Sequence, residues 1–326
     1  MNDRPQAAAT ANLTYFAFAP PDSKQWSPNS PVRPVGELPE VLCGRYRIER
    51  LLGVGGMGAV YRARDLLREQ FGDPEPWVAL KTLCEDFVEY PDAHALLYSE
   101  FALTTRLRHR HIVRLFGYEV DSTSQRAFIT MELLKGPTLD KLLDEHPTGL
   151  PWTEVQAIAL PLLKALAYSH SLGVLHGDLK PGNVLLAADG LRLFDYGLGQ
   201  SNEGLLPGLP RLCRKRIAAW TPSYAAPELL DGAPLSAAAD VYALACMLYE
   251  LCGGSHPFGR LTAQQAHTQA LDKTLQRPAN LPPHCWAALH TGLSFDPAQR
   301  RIDVTGLLDA FRMPAPGRLQ RWLRLT

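Results

Sequence analysis

His176-Gly177-Asp178-Leu179-Lys180-Pro181-Gly182-Asn183 is the stretch that decides the fold of this 326-residue chain. The carboxylate of Asp178 can accept or orient the proton of an acceptor hydroxyl. Lys180 can neutralise a phosphoryl group during its transfer, and the amide oxygen of Asn183 can bind a metal ion. A base, a cation and a metal ligand in one short loop form a highly specific combination, which predicts a site for phosphoryl transfer.

A second metal ligand is predicted downstream of this loop. Asp195-Tyr196-Gly197 comes directly after Leu191–Phe194, which reads as a short strand. A carboxylate at the end of a strand, beside a flexible glycine, is well placed to hold a Mg²⁺ ion that bridges phosphates. The tripeptide means little alone, but its position shortly after Asn183 makes Asp195 the predicted second ligand.

Upstream lies a glycine cluster, Gly53-Val54-Gly55-Gly56-Met57-Gly58-Ala59-Val60. Glycines let the backbone turn tightly and approach phosphates closely. A plain hairpin or a dinucleotide-binding loop could carry the same glycines, but a dinucleotide loop leads into a helix. Here Val60-Tyr61 continues as a strand, which favours a hairpin that covers the phosphates of ATP.

Val78-Ala79-Leu80-Lys81 places a lysine within an apolar strand. A buried cation is costly unless it is paired, so we predict that Lys81 contacts nucleotide phosphates and a carboxylate. Glu100, on the helix that follows, is the predicted partner. Taken alone, the pattern is equally compatible with a lysine on an edge strand.

The segment Trp220–Glu228 (WTPSYAAPE) is predicted to position the substrate rather than to react. An ion pair between Glu228 and Arg300 would fix the end of this segment. Removing one partner of a buried ion pair costs about 3–5 kcal/mol.

The apolar periodicity predicts an α+β protein with two lobes. Residues 45–134 read as a small β-rich lobe with one major helix, and residues 135–312 read as a larger, mainly helical lobe. The flanking segments are a Pro-rich tail at 1–40, predicted to be disordered, and a basic tail at 313–326. The N-terminal tail contains aromatic residues, which are unusual in a disordered segment: Tyr15, Phe16, Phe18 and Trp26. Either these residues are incidental, or the tail docks onto an aromatic patch on the folded domain or on a partner.

The overall charge gives no general affinity for polyanions. Lys plus Arg and Asp plus Glu number 33 each, so the formal net charge is zero. No global field therefore favours nucleic acid or an anionic membrane. No apolar run reaches the roughly 18 residues that a membrane helix needs, and the N-terminus lacks the pattern of an export signal. We predict a cytoplasmic protein without a nucleic-acid partner or a membrane span.

Together these motifs resemble the eukaryotic-like (Hanks-type) protein kinases, in particular their bacterial Ser/Thr branch. The resemblance covers Tyr46 to Arg312. It implies the bilobal protein kinase fold and a non-specific serine/threonine kinase that uses ATP and Mg²⁺ (or Mn²⁺). It further implies protein substrates and a signalling role, in some relatives together with a partner phosphatase.

The resemblance also implies roles for individual residues. Lys81 pairs with Glu100, Asp178 is the catalytic base aided by Lys180, and Asp240 holds the backbone of the catalytic loop. Met131 is the gatekeeper, Glu132–Leu134 the hinge that hydrogen-bonds adenine, Asn183 and Asp195 the metal ligands, and Glu228–Arg300 the structural ion pair. The implied ATP site consists of Leu52, Gly53, Val54, Gly55, Gly56, Met57, Gly58, Val60, Ala79, Lys81, Met131, Glu132, Leu134 and Asn183.

The sequence departs from the family pattern at Gly177, where the family usually has an arginine that binds a phosphate on the activation segment. Between Tyr196 and Thr221 the only hydroxyl-bearing residue is Ser201, and the segment instead carries a basic cluster. We therefore hypothesise that phosphorylation of this segment is not the switch. The basic cluster either attracts an acidic substrate or regulator, or is a solvated loop without a specific role. It comprises Arg211, Arg214, Lys215 and Arg216.

Three alternatives concern the function and the substrate pocket. Thr221 either hydrogen-bonds Asp178 and shapes the acceptor pocket, as in Ser/Thr rather than Tyr kinases, or serves as a phosphosite. A pseudokinase that acts as a binding module is disfavoured, because such proteins usually lack one of the residues Lys81, Asp178 or Asp195. A small-molecule kinase would share the active centre, but the segment that ends at Glu228 favours a peptide substrate.

Overall fold

The computed structural model describes residues 38–54, 58–83, 93–197, 199–201 and 221–313. Several predicted features lie outside these ranges. They are the tail up to residue 37, the glycine-cluster residues Gly55, Gly56 and Met57, the basic cluster between 211 and 216, and the basic tail from 314 onwards.

The N-terminal lobe is built on an antiparallel sheet with the strand order β1-β2-β3-β4-β6-β5. Its strands are β1 (Val41–Leu42), β2 (Tyr46–Val54), β3 (Gly58–Asp65), β4 (Trp77–Leu83), β5 (Leu115–Val120) and β6 (Ala127–Glu132). The helices of this lobe are the short α1 (Leu66–Gln70) and the longer α2 (Ala93–Thr104).

Strand β4 lies inside this sheet, and both of its faces are covered. Successive side chains of a strand point to opposite faces, and in β4 both sets are mainly apolar. Ala79 and Leu83 pack with Leu96 and Leu97 of α2, whereas Val78 joins the core on the other face. The burial of β4 fixes the position of Lys81, which pairs with Val60 on one side and Ile129 on the other.

The C-terminal lobe is mainly helical. Its helices are α3 (Leu139–Glu145), α4 (Trp152–Ser171), α5 (Pro227–Leu230), α6 (Ala237–Gly253), α7 (Ala263–Thr268), α8 (Pro283–Gly292) and α9 (Val304–Arg312). Short 3₁₀ turns lie at Pro181–Asn183 and Leu271–Thr274. Two small antiparallel pairs complete the lobe: β7 (Val174–Leu175) with β10 (Gln200–Ser201), and β8 (Val184–Ala187) with β9 (Gly190–Leu193).

Helix α6 runs through the core of this lobe. It is apolar on all sides and almost completely buried, as expected of a core helix. The side chain of Ser236 accepts a hydrogen bond from the backbone N–H of Ala239 (3.2 Å) and caps its start. Gly254 ends it with a φ of +74°, where an added Cβ would lie 2.3 Å from the Pro147 carbonyl oxygen. The buried α6 brings Asp240 beneath the catalytic loop.

The predicted α+β fold with two lobes is confirmed, and the deviations are local. Helix α1 was not predicted: the side chain of Asp65 caps it by accepting hydrogen bonds from Leu67 and Arg68. Residues 263–274 have helical spacing in the sequence, but the helix ends at Thr268, and Ala270 has a φ of +52°. Within the described residues, no helix is both long enough and apolar enough to span a membrane.

Candidate active site

A cleft of about 530 Å³ lies between the two lobes. Every residue of the predicted ATP site that the structure describes lines this cleft: Leu52, Gly53, Val54, Gly58, Val60, Ala79, Lys81, Met131, Glu132, Leu134 and Asn183. Asp178, Lys180, Glu100 and Asp195 line it as well. The structure therefore brings the sequence-predicted catalytic and nucleotide-binding residues to one place.

Lys81 lies at the centre of a three-residue ionic group. Its Nζ contacts Glu100 Oε1 and Oε2 at 2.8 and 2.7 Å, and Asp195 Oδ1 at 2.7 Å. Strand β4 supplies the lysine and helix α2 supplies Glu100, so this pairing requires α2 to pack against the sheet. The contact with Glu100 was predicted from the sequence; the contact with Asp195 was not.

Lys81 and Asp195 stabilise each other in their ionised forms, whereas burial raises the pKa of Glu100 above its ordinary value. Burial alone would lower the pKa of Lys81, but the carboxylates of Asp195 and Glu100 raise it above its ordinary value. Burial alone would raise the pKa of Asp195, but the ammonium of Lys81 holds it at about 2. At neutral pH, Lys81 is therefore a cation and Asp195 an anion, the states needed for binding phosphate and metal.

Asp178 receives three kinds of contact in the catalytic loop. Lys180 Nζ lies 2.6 Å from its Oδ2, and the side-chain amide of Asn183 donates to its carbonyl oxygen at 2.8 Å. The backbone N–H of Thr221 donates to its Oδ1 at 3.1 Å. The predicted contact between Thr221 and Asp178 is thus present, and it is made by the backbone of Thr221.

The backbone of the catalytic loop is held by Asp240 of α6. The N–H of His176 donates to Asp240 Oδ2 at 2.8 Å, and the N–H of Gly177 donates to Oδ1 at 2.9 Å. The imidazole Nε2 of His170 lies 2.8 Å from Oδ2 as well. Burial would raise the pKa of Asp240, but His170 and the loop amides lower it below its ordinary value. A buried anion therefore fixes the loop that carries Asp178.

Gly177 has a backbone conformation that suits glycine. Its φ is +82°, in the left-handed region where a residue with a Cβ is strained by roughly 1–2 kcal/mol.

Tyr196 is fully buried, and its ring centroid lies 4.5 Å from that of His176. The ring of Tyr196 therefore packs against the catalytic loop.

Asn183 and Asp195 offer a donor set that fits a hard divalent cation. The amide nitrogen of Asn183 is occupied by the carbonyl of Asp178, which orients the amide oxygen as the remaining ligand atom. Lys81 contacts Asp195 through Oδ1, so Oδ2 is the second available oxygen. Among the described residues, no group of three or more His, Cys, Asp or Glu side chains could hold a metal alone. Mg²⁺ and Mn²⁺ suit such sites, where substrate phosphates complete the coordination.

The segment after Thr221 is fixed to the helical lobe by Glu228 and Arg300. Arg300 NH1 lies 2.6 Å from Glu228 Oε1, and the Arg300 side chain is completely buried. The same guanidinium donates to the carbonyl oxygens of Ala238 at 2.8 Å and Ser294 at 2.8 Å. The predicted ion pair is present, and backbone carbonyls satisfy the rest of the arginine.

A second buried carboxylate beside this segment was missed. Glu250 of α6 accepts a short hydrogen bond from the hydroxyl of Tyr224 and forms a 2.8 Å ion pair with Arg260. Glu250 is almost inaccessible, whereas 58% of the Arg260 side chain is exposed. Arg260 has a φ of +61°, which is uncommon for a residue other than glycine. Sequence reasoning had no local signal for this pair, because ten residues and a helix end separate its members.

Other residues of the cleft were also missed. Val113, Gly136, Thr138, Leu185 and Phe194 line it together with the predicted set. Leu185 lies two residues after Asn183 in strand β8, so its proximity to the motif was the available signal. Phe194 directly precedes Asp195 and carried the same signal. The remaining three come from loops whose approach to the cleft depends on the tertiary fold.

Comparisons with known proteins agree with this geometry. A model of the protein kinase domain matches residues 46–308. The Ser/Thr protein kinase PkaA of Streptomyces coelicolor is 35% identical over 282 residues, covering 82% of this chain and 48% of that protein. PknD of Mycobacterium tuberculosis is 32% identical over 272 residues, covering 81% of this chain and 39% of that protein. This chain thus spans half or less of the length of these relatives.

A solved structure has the same fold. The crystal structure of the kinase domain of PknI from Mycobacterium tuberculosis, determined on a point mutant, superimposes with a TM-score of 0.60 at 27% sequence identity. The match covers 83% of this chain and 95% of that one. The likeness therefore extends over both lobes and the cleft between them.

Proposed function

The chain belongs to the protein kinase domain family, in its bacterial eukaryotic-like Ser/Thr branch, and from this premise we propose that it transfers the γ-phosphate of ATP to Ser and Thr hydroxyls of proteins. The observation that supports the proposal best is the convergence of Lys81, Glu100, Asp195 and Asp178 in one cleft. A protein that only bound nucleotide would not need a carboxylate base held by both Lys180 and the backbone N–H of Thr221.

In the proposed reaction Asp178 accepts the proton of the substrate hydroxyl, and that hydroxyl oxygen attacks the γ-phosphorus. Lys180, 2.6 Å from Asp178, lies where it can neutralise the charge on the phosphoryl group. Lys81, kept in position by Glu100, binds the phosphates that remain with ADP. Because phosphoryl transfer depends on positioning and charge stabilisation, these contacts supply most of what the protein must provide.

A divalent cation would be held by Asn183 and Asp195 and would neutralise negative charge on the phosphates of ATP. The adenine would lie between the two lobes, beside the backbone of Glu132–Leu134. We propose Mg²⁺ or Mn²⁺, since both accept a carboxylate, an amide oxygen and phosphate oxygens.

Transfer of radiolabel from γ-³²P-labelled ATP, followed by phosphoamino-acid analysis, tests this function. We expect purified full-length chain to label protein acceptors on Ser and Thr when Mg²⁺ or Mn²⁺ is present, and Lys81→Met to label them far less. Arg312→Met, which changes an exposed side chain on α9, is the matched control and should retain activity. Label on metabolites alone, or no label with either cation, would contradict the proposal.

We further propose that phosphorylation of the activation segment is not the switch. The contacts that hold the catalytic loop come from Asp240 and from the N–H of Thr221, and Gly177 has no side chain with which to bind a phosphate. Enzyme treated with a phosphatase, which is then removed, should therefore keep its rate of peptide phosphorylation within about twofold. A large loss of activity that returns on autophosphorylation would refute this part of the proposal.

An acidic protein substrate is the third part of the proposal, and Arg260 supports it. The buried Glu250 is already paired with Tyr224 and Arg260, so it is not available to a basic substrate residue. Arg260 presents a half-exposed guanidinium beside the segment that starts at Thr221. We expect Arg260→Gln to reduce the preference for acidic over neutral peptides by roughly fivefold, the factor that corresponds to about 1 kcal/mol. Arg312→Gln is the control and should keep the preference of the wild type. If Arg260→Gln keeps that preference as well, the result counts against the role of Arg260.

Three further predictions belong with this proposal and await their own tests. They are the division into tail 1–40, lobes 45–134 and 135–312 and tail 313–326, the cytoplasmic location, and a partner phosphatase. The phosphatase is testable by co-purification with the full-length chain. We expect neither nucleic acid nor a membrane span to be needed for activity.

A further inference from the structure

An exposed aromatic surface lies where helix α2 meets strand β5. The rings of Tyr98 and Tyr118 pack edge to face with centroids 5.3 Å apart, and Phe101 lies 6.1 Å from Tyr118. Val120 follows on the same face of β5, two residues beyond Tyr118. Tyr98 and Val120 are each 47% exposed. We call these four residues the aromatic seam.

The seam lies on the edge of the sheet. Strand β5 is the last strand in the order and pairs only with β6 within the described residues. An edge strand offers unpaired backbone N–H and C=O groups, and proteins usually cover such an edge. Aromatic side chains beside an open edge are therefore a surface suited to a further apolar segment.

The start of the described sheet meets the C-terminal end of β5, on the strand face opposite to Tyr118. The backbone N–H of Cys43 donates to Asp121 Oδ1 at 2.8 Å, and the hydroxyl of Tyr46 donates to Glu119 Oε1 at 2.7 Å. These contacts place the start of the sheet against the C-terminal end of β5. Asp121 is three residues from Tyr118, which corresponds to roughly 10 Å along a strand.

The 37 residues before the described chain can reach the seam and have suitable side chains. Twenty positions separate Phe18 from Leu38. A chain of that length extends to at most about 70 Å, and its average end-to-end distance as a coil is about 25 Å. Leu38 is five residues from Cys43, at most about 18 Å, and Cys43 contacts Asp121. The path from Leu38 to Tyr118 is therefore shorter than the extended linker, so the linker permits contact. The large apolar residues of the segment 13–18 are Leu13, Tyr15, Phe16 and Phe18.

We propose that the segment 13–18 docks onto the aromatic seam of its own chain. Its aromatic rings would pack against Tyr98 and Tyr118, and its backbone lies within reach of the open edge of β5. The linker keeps the segment at an effective concentration of about 1 mM or more. A contact with a dissociation constant of about 0.1 mM, which is weak, would therefore be formed most of the time. Glu100 is on the same helix as Tyr98, so a docked segment would also restrain the helix that pairs with Lys81.

Photo-cross-linking in the full-length chain tests the proposal. p-Benzoylphenylalanine replaces Tyr98 in one sample and Phe71, which is 81% exposed on a different part of the lobe, in a control. We expect the probe at Tyr98 to form cross-links to residues 13–18 within one chain, and the probe at Phe71 to form none there. The double substitution Phe16→Ser and Phe18→Ser should abolish the cross-link, whereas Trp26→Ser should leave it.

Hydrogen exchange provides a second, independent readout. Amides of β5 should exchange about tenfold faster in the Phe16→Ser, Phe18→Ser variant than in the wild type. This factor is the ratio of the effective concentration, about 1 mM, to the dissociation constant, about 0.1 mM. This effect should not depend on protein concentration. Cross-links to a second copy with concentration-dependent protection would show that another molecule covers the seam, and would overturn the proposal. Unchanged exchange in the variant would overturn it as well.

Discussion

Asp240→Asn should loosen the catalytic loop while leaving nucleotide binding intact. Asp240 accepts hydrogen bonds from the N–H groups of His176 and Gly177, and its Oδ2 also lies 2.8 Å from His170 Nε2. An asparagine has one acceptor oxygen where the aspartate has two. Its oxygen can keep the position that serves His176 and His170, and its NH₂ then faces the N–H of Gly177.

The expected loss of stability follows from these contacts. The buried N–H of Gly177 would have no acceptor, which costs about 1–3 kcal/mol, and the two remaining hydrogen bonds would lose the contribution of a charged acceptor, about 1 kcal/mol each. We therefore expect the free energy of unfolding to fall by about 3–5 kcal/mol. Asp240→Ala would leave all three donors without an acceptor, so the asparagine variant is the more informative one.

The kinetic effect separates the loop from the rest of the cleft. Asp178 is adjacent to Gly177, and a displacement of about 1 Å at a catalytic group can cost about a hundredfold in rate. Asp240 does not line the nucleotide cleft, so the dissociation constant for ATP should change by less than about threefold. The assays are urea unfolding, steady-state phosphorylation of a peptide and calorimetric ATP titration. Wild-type kcat together with wild-type stability would refute the reasoning, since it would mean that the loop needs no buried anion.

Two other predictions concern stability. Arg300→Met should lower the free energy of unfolding by about 3–5 kcal/mol, because it leaves the Glu228 carboxylate without its partner; a loss below about 1 kcal/mol in urea titrations would contradict the importance of this pair. Burial lowers the pKa of His256 to about 4. As the pH falls below about 6.5, the unfolded chain therefore binds a proton at His256 that the folded chain does not bind. Between pH 7 and pH 5 this difference should lower the free energy of unfolding by about 2 kcal/mol. His256→Asn keeps an acceptor for the N–H of Phe258, and its unfolding free energy should depend less on pH by that amount; an equally steep dependence would exclude His256 as the cause.

The sequence predicted most reliably those features that are local in the chain. The loop His176–Asn183 carries its chemistry within a few residues, and the glycine cluster is flanked by two strands, as its sequence predicted. Helix α9 (Val304–Arg312) carries a strong apolar period of the same local kind. Short-range patterns of this kind do not depend on how the lobes pack.

Features that arise from tertiary packing could not be predicted in the same way. The contact between Lys81 and Asp195 joins residues 114 positions apart. The pair of Glu250 with Arg260 depends on how the chain turns after α6. A contact of Thr221 with Asp178 was predicted, but no side-chain pattern encodes that the backbone N–H of Thr221 makes it. In each case the residues were visible in the sequence, but their approach is set by the burial of β4 and α6.

The rate of phosphoryl transfer by Asp178→Asn tests the central claim most directly. The variant keeps the size of the side chain and removes the base, while the residues that contact ATP are unchanged. We expect kcat on a Ser/Thr peptide to fall by about a hundredfold or more, with the dissociation constant for ATP unchanged within about twofold. Equal autophosphorylation and peptide phosphorylation by wild type and variant would contradict the assignment of Asp178 as the catalytic base.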